Sequence, residues 1–358
     1  MKQRSVLHLA IPLRKPFVTS QGVLAERELV VIRLEDDDGT TGFGEAAPLE
    51  SYDGVSIGAV IDSLRMGPPP RGAPPQARAA WELAELDLQR RRLGRPLGDP
   101  FNDQIPVNMT LPAGPPEEVA AAAAEGLRAG YSCFKVKVGL ADDVERVAAV
   151  REAVGPWPAL RVDANGAWPV EEAVAAIDDL APLDLELVEQ PCATLEEIAA
   201  VRPRVGVPVA ADESITGVED VVTAARLGAC DAVNVKLSGS GGFGPARDAL
   251  RSARDHGMAA WLSSTLDGPW GIAAALQLAS SESLSLACGL ATLELFDAEL
   301  ARALAAPSRG LMARAPGPGP GRRGLRRRPA RGSGRGSPLA ARPPRRAAAA
   351  GERGRRAR

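Results

Sequence analysis

From Gln104 onward the chain alternates between two kinds of segment. Short apolar runs begin near Ile105, Phe134, Leu160, Leu185, Val207, Ala232, Ala260 and Leu284. Between them lie stretches rich in Ala, Glu and Arg with helical periodicity, at 116–129, 142–154, 170–180, 194–202, 217–227 and 244–256. A strand–helix unit repeating about every 25 residues predicts a closed parallel β/α barrel, with an open doubly wound sheet as the alternative. A barrel brings the C-terminal ends of its strands to one mouth, where such folds carry their chemistry. No Gly-x-Gly-x-x-Gly follows the first strand. The glycine-rich Gly239-Ser-Gly-Gly-Phe-Gly244 comes after a late strand, and reads as a loop that lets backbone approach a ligand rather than as a phosphate cradle.

The first hundred residues have another rhythm. Val6–Ile11 and Leu29–Leu34 are β-rich, and Asp36-Asp-Asp-Gly39 makes a turn into Thr41–Glu45, which predicts a small antiparallel sheet. Residues 55–66 read as a helix, the Pro/Gly-rich stretch 67–75 interrupts, and Gln76–Arg92 is a strongly amphipathic helix.

Positive charge is carried almost wholly by arginine, 38 against five lysines, so the lysines in apolar runs draw attention. Lys135 and Lys137 end the second barrel strand and Lys236 ends the sixth. Asp163, Glu189 and Asp212 end the third, fourth and fifth, and the intervals from Asp163 to Lys236 are 26, 23 and 24 residues. Three carboxylates on adjacent strands form a hard oxygen site of the kind Mg²⁺ takes, with Mn²⁺ able to replace it. Lys135 and Lys137 point to one face of their strand, and two ammonium groups that close lower each other's pKa, making one a usable base. Lys236 falls on the other side of the carboxylates in barrel order. A metal flanked by acid/base groups suits abstraction of a proton α to a carboxylate, giving an enediolate. Taken singly, each residue has an ordinary reading: a lysine snorkelling from a strand, a carboxylate capping the next helix, as Asp212-Glu213-Ser214 would. Their regular spacing favours the joint reading.

Composition sets bounds on the rest. Residues 315–358 hold fourteen arginines and one glutamate, a net of +13, which leaves −15 for residues 1–314. The acidic part argues against general nucleic-acid binding there. The basic tail, low in complexity and rich in Pro, Gly, Arg and Ala, is expected to be disordered. A basic arm for nucleic acid, or sequence foreign to the fold, are its other readings. Cys133, Cys192, Cys230 and Cys288 are widely spaced without a CxxC pattern, which fits reduced thiols in a cytoplasmic protein. Charged residues interrupt the first apolar stretch, so no signal peptide is read, and no apolar run is long enough to span a membrane.

At Lys135-x-Lys137, Asp163-x-Asn165, Glu189-Gln190-Pro191, Asp212-Glu213-Ser214 and Lys236 the chain resembles the enolase superfamily, specifically its muconate-cycloisomerase-like subgroup, over about residues 5–312. The resemblance implies a modified (β/α)7β TIM-type barrel with an α+β capping domain. It also implies that Asp163, Glu189 and Asp212 bind Mg²⁺, that Lys137 is the principal acid/base, and that Lys135 assists it. The expected division is a cap at 1–100, a barrel at 101–292, a segment returning to the cap at 293–314 and the tail at 315–358. Family character stops near Met312, where the usual final strand gives way to Arg/Pro/Gly sequence, and the stretch 67–75 looks shorter and richer in proline than the usual cap helix pair.

Within the subgroup, Leu262-Ser-Ser-Thr-Leu-Asp-Gly-Pro-Trp-Gly271, Cys288-Gly-Leu-Ala-Thr-Leu-Glu-Leu-Phe296 and Gly42-Phe-Gly-Glu-Ala-Ala-Pro48 with Ser51-Tyr-Asp53 look most like the o-succinylbenzoate synthases. These are lyases of menaquinone biosynthesis that dehydrate 2-succinyl-6-hydroxy-2,4-cyclohexadiene-1-carboxylate. N-acylamino-acid racemase, dipeptide epimerase and muconate cycloisomerase are the alternatives on the same scaffold. A basic-tail nucleic-acid-binding protein is the non-enzyme alternative. Ser263, Ser264, Gly289 and Asn165 are the expected substrate contacts. The expected partner is a small carboxylate, with no membrane or specific nucleic acid, and with room for a homo-oligomer.

Overall fold

The computed structural model describes residues 3–19, 22–94 and 105–296. The Arg-rich stretch 315–358 and most of the expected return segment lie outside these residues.

Three strands, β1 (Gln3–Thr19), β2 (Gly22–Glu35) and β3 (Thr41–Ala46), form an antiparallel sheet in that order. Over residues 29–32 strand β2 is buried on both faces, which is why its sequence there shows a continuous apolar run rather than alternation. Val30, Ile32 and Leu34 pack with Val60 and Leu64 of α2 (Ile57–Met66), which follows the short helix α1 (Glu50–Asp53), and with Ala77, Ala80, Trp81 and Ala84 of α3 (Pro75–Leu93). Pro74 and Pro75 open α3 and Gly94, at φ +62°, closes it. Helix α3 lies so close on β3 that a Cβ at Gly42 or Gly44 would stand 2.1 or 1.8 Å from the carbonyls of Ala84 and Ala80. Only glycine permits that approach.

The second sheet is parallel. Its strands are β4 (Met109–Thr110), β5 (Cys133–Lys137), β6 (Ala159–Asp163), β7 (Leu187–Glu189), β8 (Val209–Ala211), β9 (Ala232–Lys236) and β10 (Ala259–Ser263), ordered sequentially. The intervening helices are α4 (Pro116–Arg128), α5 (Asp143–Val154), α6 (Val170–Leu180), α7 (Leu195–Val201), α8 (Val218–Leu227), the pair α9 (Leu237–Ser240) and α10 (Phe243–Asp255), and α11 (Pro269–Ser281). The eighth apolar run supplies single bridges in place of a full strand. Cys288 pairs with Val107 and Gly289 with Ser263, both parallel, so this segment joins β10 to the entry of β4 and closes the barrel. Seven β/α units and a last β segment result. One apolar core of Val, Leu, Ile and Ala fills the space between strands and helices.

The odd face of β2 meets the barrel: Val31 packs with Trp270 and Ala273 of α11. Helix α11 begins at Gly268, which has no side chain to cap it. Glu45 of β3 serves instead, accepting from Gly268 N at 2.6 Å and Trp270 N at 3.2 Å. Glu82 of α3 does the same for α10, accepting from Gly244 N at 3.1 Å. Arg27, 2% exposed, donates to the carbonyls of Ala47 and Pro48 on its own side and of Thr265 and Leu266 after β10. After the barrel the chain turns back: Phe296 pairs antiparallel with Leu13 and is buried among Ile11, Leu13 and Leu29.

Candidate active site

Strand register sets the level of the charged groups. Lys137 is the Cα partner of Asp163, and Asp163 that of Glu189, so three strand ends carry their groups in one layer. On the far side Lys236 is level with Ser263. Asp163 and Glu189 are fully buried and Asp212 is 4% exposed, while the three lysines are largely buried with their tips reaching the mouth.

The ion pairs are short. Lys135 Nζ lies 2.9 Å from Asp163 Oδ2 and 3.0 Å from Glu189 Oε1. Lys137 Nζ donates to Asp163 Oδ2 and Asn165 Oδ1, each at 2.7 Å. Lys236 pairs with Asp212. Burial pulls the Lys135 ammonium down, but Asp163, Glu189 and Asp212 outweigh it and hold the group above the usual lysine range. The lowered pKa expected of this lysine pair is not found at Lys135, where carboxylate charge dominates. Burial raises Asp163 as well, yet Lys135 and Lys137 together bring it well below the ordinary carboxylate range. Glu189 goes the other way, pushed up to about 7 by burial and by Asp163 and Asp212, against the opposing pull of Lys135 and Lys236.

No three His, Cys, Asp or Glu side chains among the described residues close around a common point; here the carboxylates face ammonium groups. The donor set nevertheless fits a hard divalent cation. It consists of three buried carboxylates on adjacent strands, and Glu189 Oε2 is buried without a hydrogen-bond partner. Burial and acidic neighbours both raise Glu189, and with Oε2 unpartnered it is a carboxylate short of positive charge.

These groups gather around an open cavity at the barrel mouth. Lys135, Lys137, Asp163, Asn165, Asp212, Lys236, Ser263, Ser264 and Gly289 all border it, whereas Glu189 lies beneath them. The amide of Asn165 is engaged on both atoms, by Lys137 and by Glu213. Ser263 Oγ accepts from Trp261 Nε1 at 3.2 Å, and Ser264 Oγ is 2.7 Å from Thr292 Oγ1. A Cβ at Gly289 would stand 2.5 Å from Ser263 Oγ, so that glycine keeps the barrel seam tight. Glu213 is not a helix cap; helix α8 starts from Gly217, and Glu213 Oε1 accepts from Asn165 Nδ2 at 2.7 Å.

Other lining residues were not singled out as site residues from sequence: Leu49 and Tyr52 from the cap, Thr110, Asn234, Thr265, Leu266, Thr292 and Leu295. Asn234 was findable, since it sits two residues before Lys236 on the same face of β9 and donates to Glu189 Oε1 at 3.0 Å. Tyr52 lies within the Ser51-Tyr-Asp motif. Asp53 fixes that turn by accepting from Leu49 N, Val55 N and Gln76 Nε2. Under the site, Arg161 fills the barrel, donating to Glu186 Oε2 at 2.6 Å and lying 5.2 Å from the Trp261 ring centre.

Several known proteins are similar to this chain in sequence and fold. Residues 118–323 match the family described as enolase C-terminal domain-like. An o-succinylbenzoate synthase of Thermobifida fusca is 40% identical over 297 residues, 81% of this chain and 81% of that protein. An L-Ala-D/L-Glu epimerase of Clostridium acetobutylicum is 31% identical over 310 residues, 77% of this chain and 85% of that protein. The structure of a dipeptide epimerase from Enterococcus faecalis, complexed with Mg and the dipeptide L-Leu-L-Tyr, superposes with a TM-score of 0.78 at 28% identity, covering 81% of this chain and 90% of that one.

Proposed function

Because the chain belongs to the enolase superfamily, we propose that it is an o-succinylbenzoate synthase, dehydrating 2-succinyl-6-hydroxy-2,4-cyclohexadiene-1-carboxylate in menaquinone biosynthesis. The observation that carries the choice within the family is the wall opposite the carboxylates. Ser263, Ser264, Thr265, Leu266, Gly289, Thr292 and Leu295 form it, and among the described residues it holds no acid. Glu294 is turned away, accepting from Tyr131 Oη at 2.9 Å. A dipeptide would bring an ammonium group that meets no acid among the described residues of that wall. A ring bearing a succinyl arm finds leucines for its apolar part and hydroxyls for its carboxylate.

In this reading Asp163, Glu189 and Asp212 hold Mg²⁺, or Mn²⁺ in its place. When bound, the ion supplies Lewis-acid stabilisation of negative charge on the substrate carboxylate and draws carboxylate charge away from the lysines. Lys137, once neutral, takes the α-proton to give the enediolate. The same lysine returns a proton to the leaving hydroxyl on the same face, so water departs and the ring becomes aromatic. Lys135, held protonated, keeps positive charge beside the reacting carboxylate. Lys236 stays across the cavity as a fixed cation that stabilises the enediolate and faces the developing ring.

The opposed Lys137 and Lys236 would also serve a two-base racemase, and the epimerase relative keeps that second reading open. The four cysteines, all buried free thiols, support a cytoplasmic setting, and no helix among the described residues is long and apolar enough to cross a membrane. Assay of the cyclohexadiene substrate beside a panel of N-acylamino acids and dipeptides, with and without EDTA, tests the proposal. Chelator-sensitive dehydration supports it; turnover confined to the amino-acid panel refutes it.

A further inference from the structure

Four residues that accompany the charged strand ends have no task in the mechanism above: Asn165, Gln190, Glu213 and Ser214. The structure links them in one chain that ends on Lys137. We propose that Glu213, acting through Asn165, is a positioning residue that sets the hydrogen-bonding of Lys137. The inference rests on the reading of Lys137 as the proton-transferring group.

Lys137 Nζ has two acceptors among the described residues, Asp163 Oδ2 and Asn165 Oδ1, both at 2.7 Å. Asp163 is also a proposed cation ligand, so Asn165 is the acceptor that belongs to Lys137 alone. An asparagine amide can face either way, and the wrong way would turn two N–H donors on an ammonium. Asn165 Nδ2 donates to Glu213 Oε1 at 2.7 Å, and a carboxylate can only accept. Glu213 thereby fixes the carbonyl of Asn165 toward Lys137.

The rest of the chain holds this pair still. Asn165 has φ +47°, a conformation asparagine tolerates better than most residues, and its N–H donates to Asp163 Oδ1 at 3.0 Å. Gly166 follows at φ +73°, and its N–H donates to the carbonyl of Gln190 at 2.7 Å. Gln190, 1% exposed and itself at φ +40°, grips both residues that flank Glu213. Its Oε1 accepts from Asp212 N at 2.8 Å and Ser214 N at 3.4 Å, and its Nε2 donates to Ser214 Oγ at 2.6 Å. Two left-handed non-glycine residues in adjacent strand-end turns mark backbone held in place by these bonds. The turns after β6 and β7 thus contribute Asn165 and Gln190, and the turn after β8 contributes Glu213 and Ser214, to the orientation of one lysine.

The test is a double-mutant cycle on the holoenzyme. Glu213→Leu and Asn165→Leu should each lower kcat by about 30-fold with KM changed less than about 3-fold, as misplacement of a reacting group does. The double variant should lose no more than about 3-fold beyond either single one, since both break one chain. Glu213→Gln retains an acceptor for Asn165 and should recover most of the rate. Mg²⁺ affinity, read by calorimetry without substrate, should stay within about 3-fold of wild type in Glu213→Leu. Multiplying losses in the double variant, or a fall in Mg²⁺ affinity that matches the fall in kcat, would overturn the proposal. Should the leucine variants not fold, Asn165→Ser and Glu213→Ala run the same cycle. Lys137→Ala separates the two readings: activity surviving it refutes the role of Lys137, whereas an inactive Lys137→Ala beside a fully active Glu213→Leu refutes only the positioning chain.

Discussion

Lys236 Nζ sits 5.1 Å from the ring centre of Tyr52, and the same tyrosine donates its hydroxyl to Asp212 Oδ2 at 3.3 Å. A residue from the N-terminal sheet-and-helix region thus touches both a proposed metal ligand and the proposed fixed cation. We predict that Tyr52→Phe, which keeps the ring, changes kcat/KM by less than about 3-fold, whereas Tyr52→Leu lowers it about 10-fold. Steady-state kinetics of the two variants checks this. Equal losses in both would assign the effect to the hydroxyl instead.

The lysines should separate by role. Lys137→Ala is expected to lower kcat by at least about 1000-fold, the upper range for loss of a general acid/base. Lys236→Arg keeps the charge and cannot act as a base, so dehydration should remain measurable while any α-proton exchange of N-acylamino acids through Lys236 disappears. Proton exchange in D₂O followed by NMR distinguishes the two.

The carboxylates should matter for the cation before they matter for the fold. Replacing any one of Asp163, Glu189 or Asp212 with its amide is expected to weaken Mg²⁺ binding by about 100-fold or more, with no collapse of the metal-free melting temperature. Calorimetry and thermal melts on the same samples read both quantities. A variant that loses stability while holding Mg²⁺ normally would contradict the assignment.

Much of this was open to sequence reasoning because the barrel repeats. The interval from Asp163 to Lys236 fixed which residues end strands, and alternation put Lys135 and Lys137 on one face. The antiparallel sheet was readable from the Asp36–Gly39 turn. What escaped depended on contacts between distant segments. Nothing local to Glu45 shows that it caps a helix starting at Gly268, and nothing local to Glu213 shows that it faces Asn165 rather than its own helix. Closure of the barrel through the single bridges of Cys288 and Gly289 also leaves no strand-length signal in the sequence.

Glu45 gives a pH prediction. Burial, helped by Asp267, pushes its carboxyl up to about 8 against the pull of the backbone amides it accepts from. A raised native pKa means the folded state holds the proton more tightly than the unfolded one. Its stabilising contribution is complete below the ordinary carboxylate pKa and is lost as pH rises through about 8. Asp267, raised to about 6 by burial despite Arg27, behaves the same way in a lower window. Melting temperature should therefore fall between about pH 6.5 and 8.5 in wild type, and that upper part of the decline should vanish in Glu45→Gln. An unchanged decline in the variant would place the titration elsewhere.

The direct measurement is the rate of o-succinylbenzoate formation from the cyclohexadiene precursor, set beside racemisation of N-succinylamino acids and epimerisation of dipeptides by the same preparation. Dehydration should exceed either by at least about 10-fold, stop with EDTA, return with Mg²⁺ and be absent in Lys137→Ala. Racemisation or epimerisation faster than dehydration, or dehydration indifferent to Lys137, would contradict the synthase assignment.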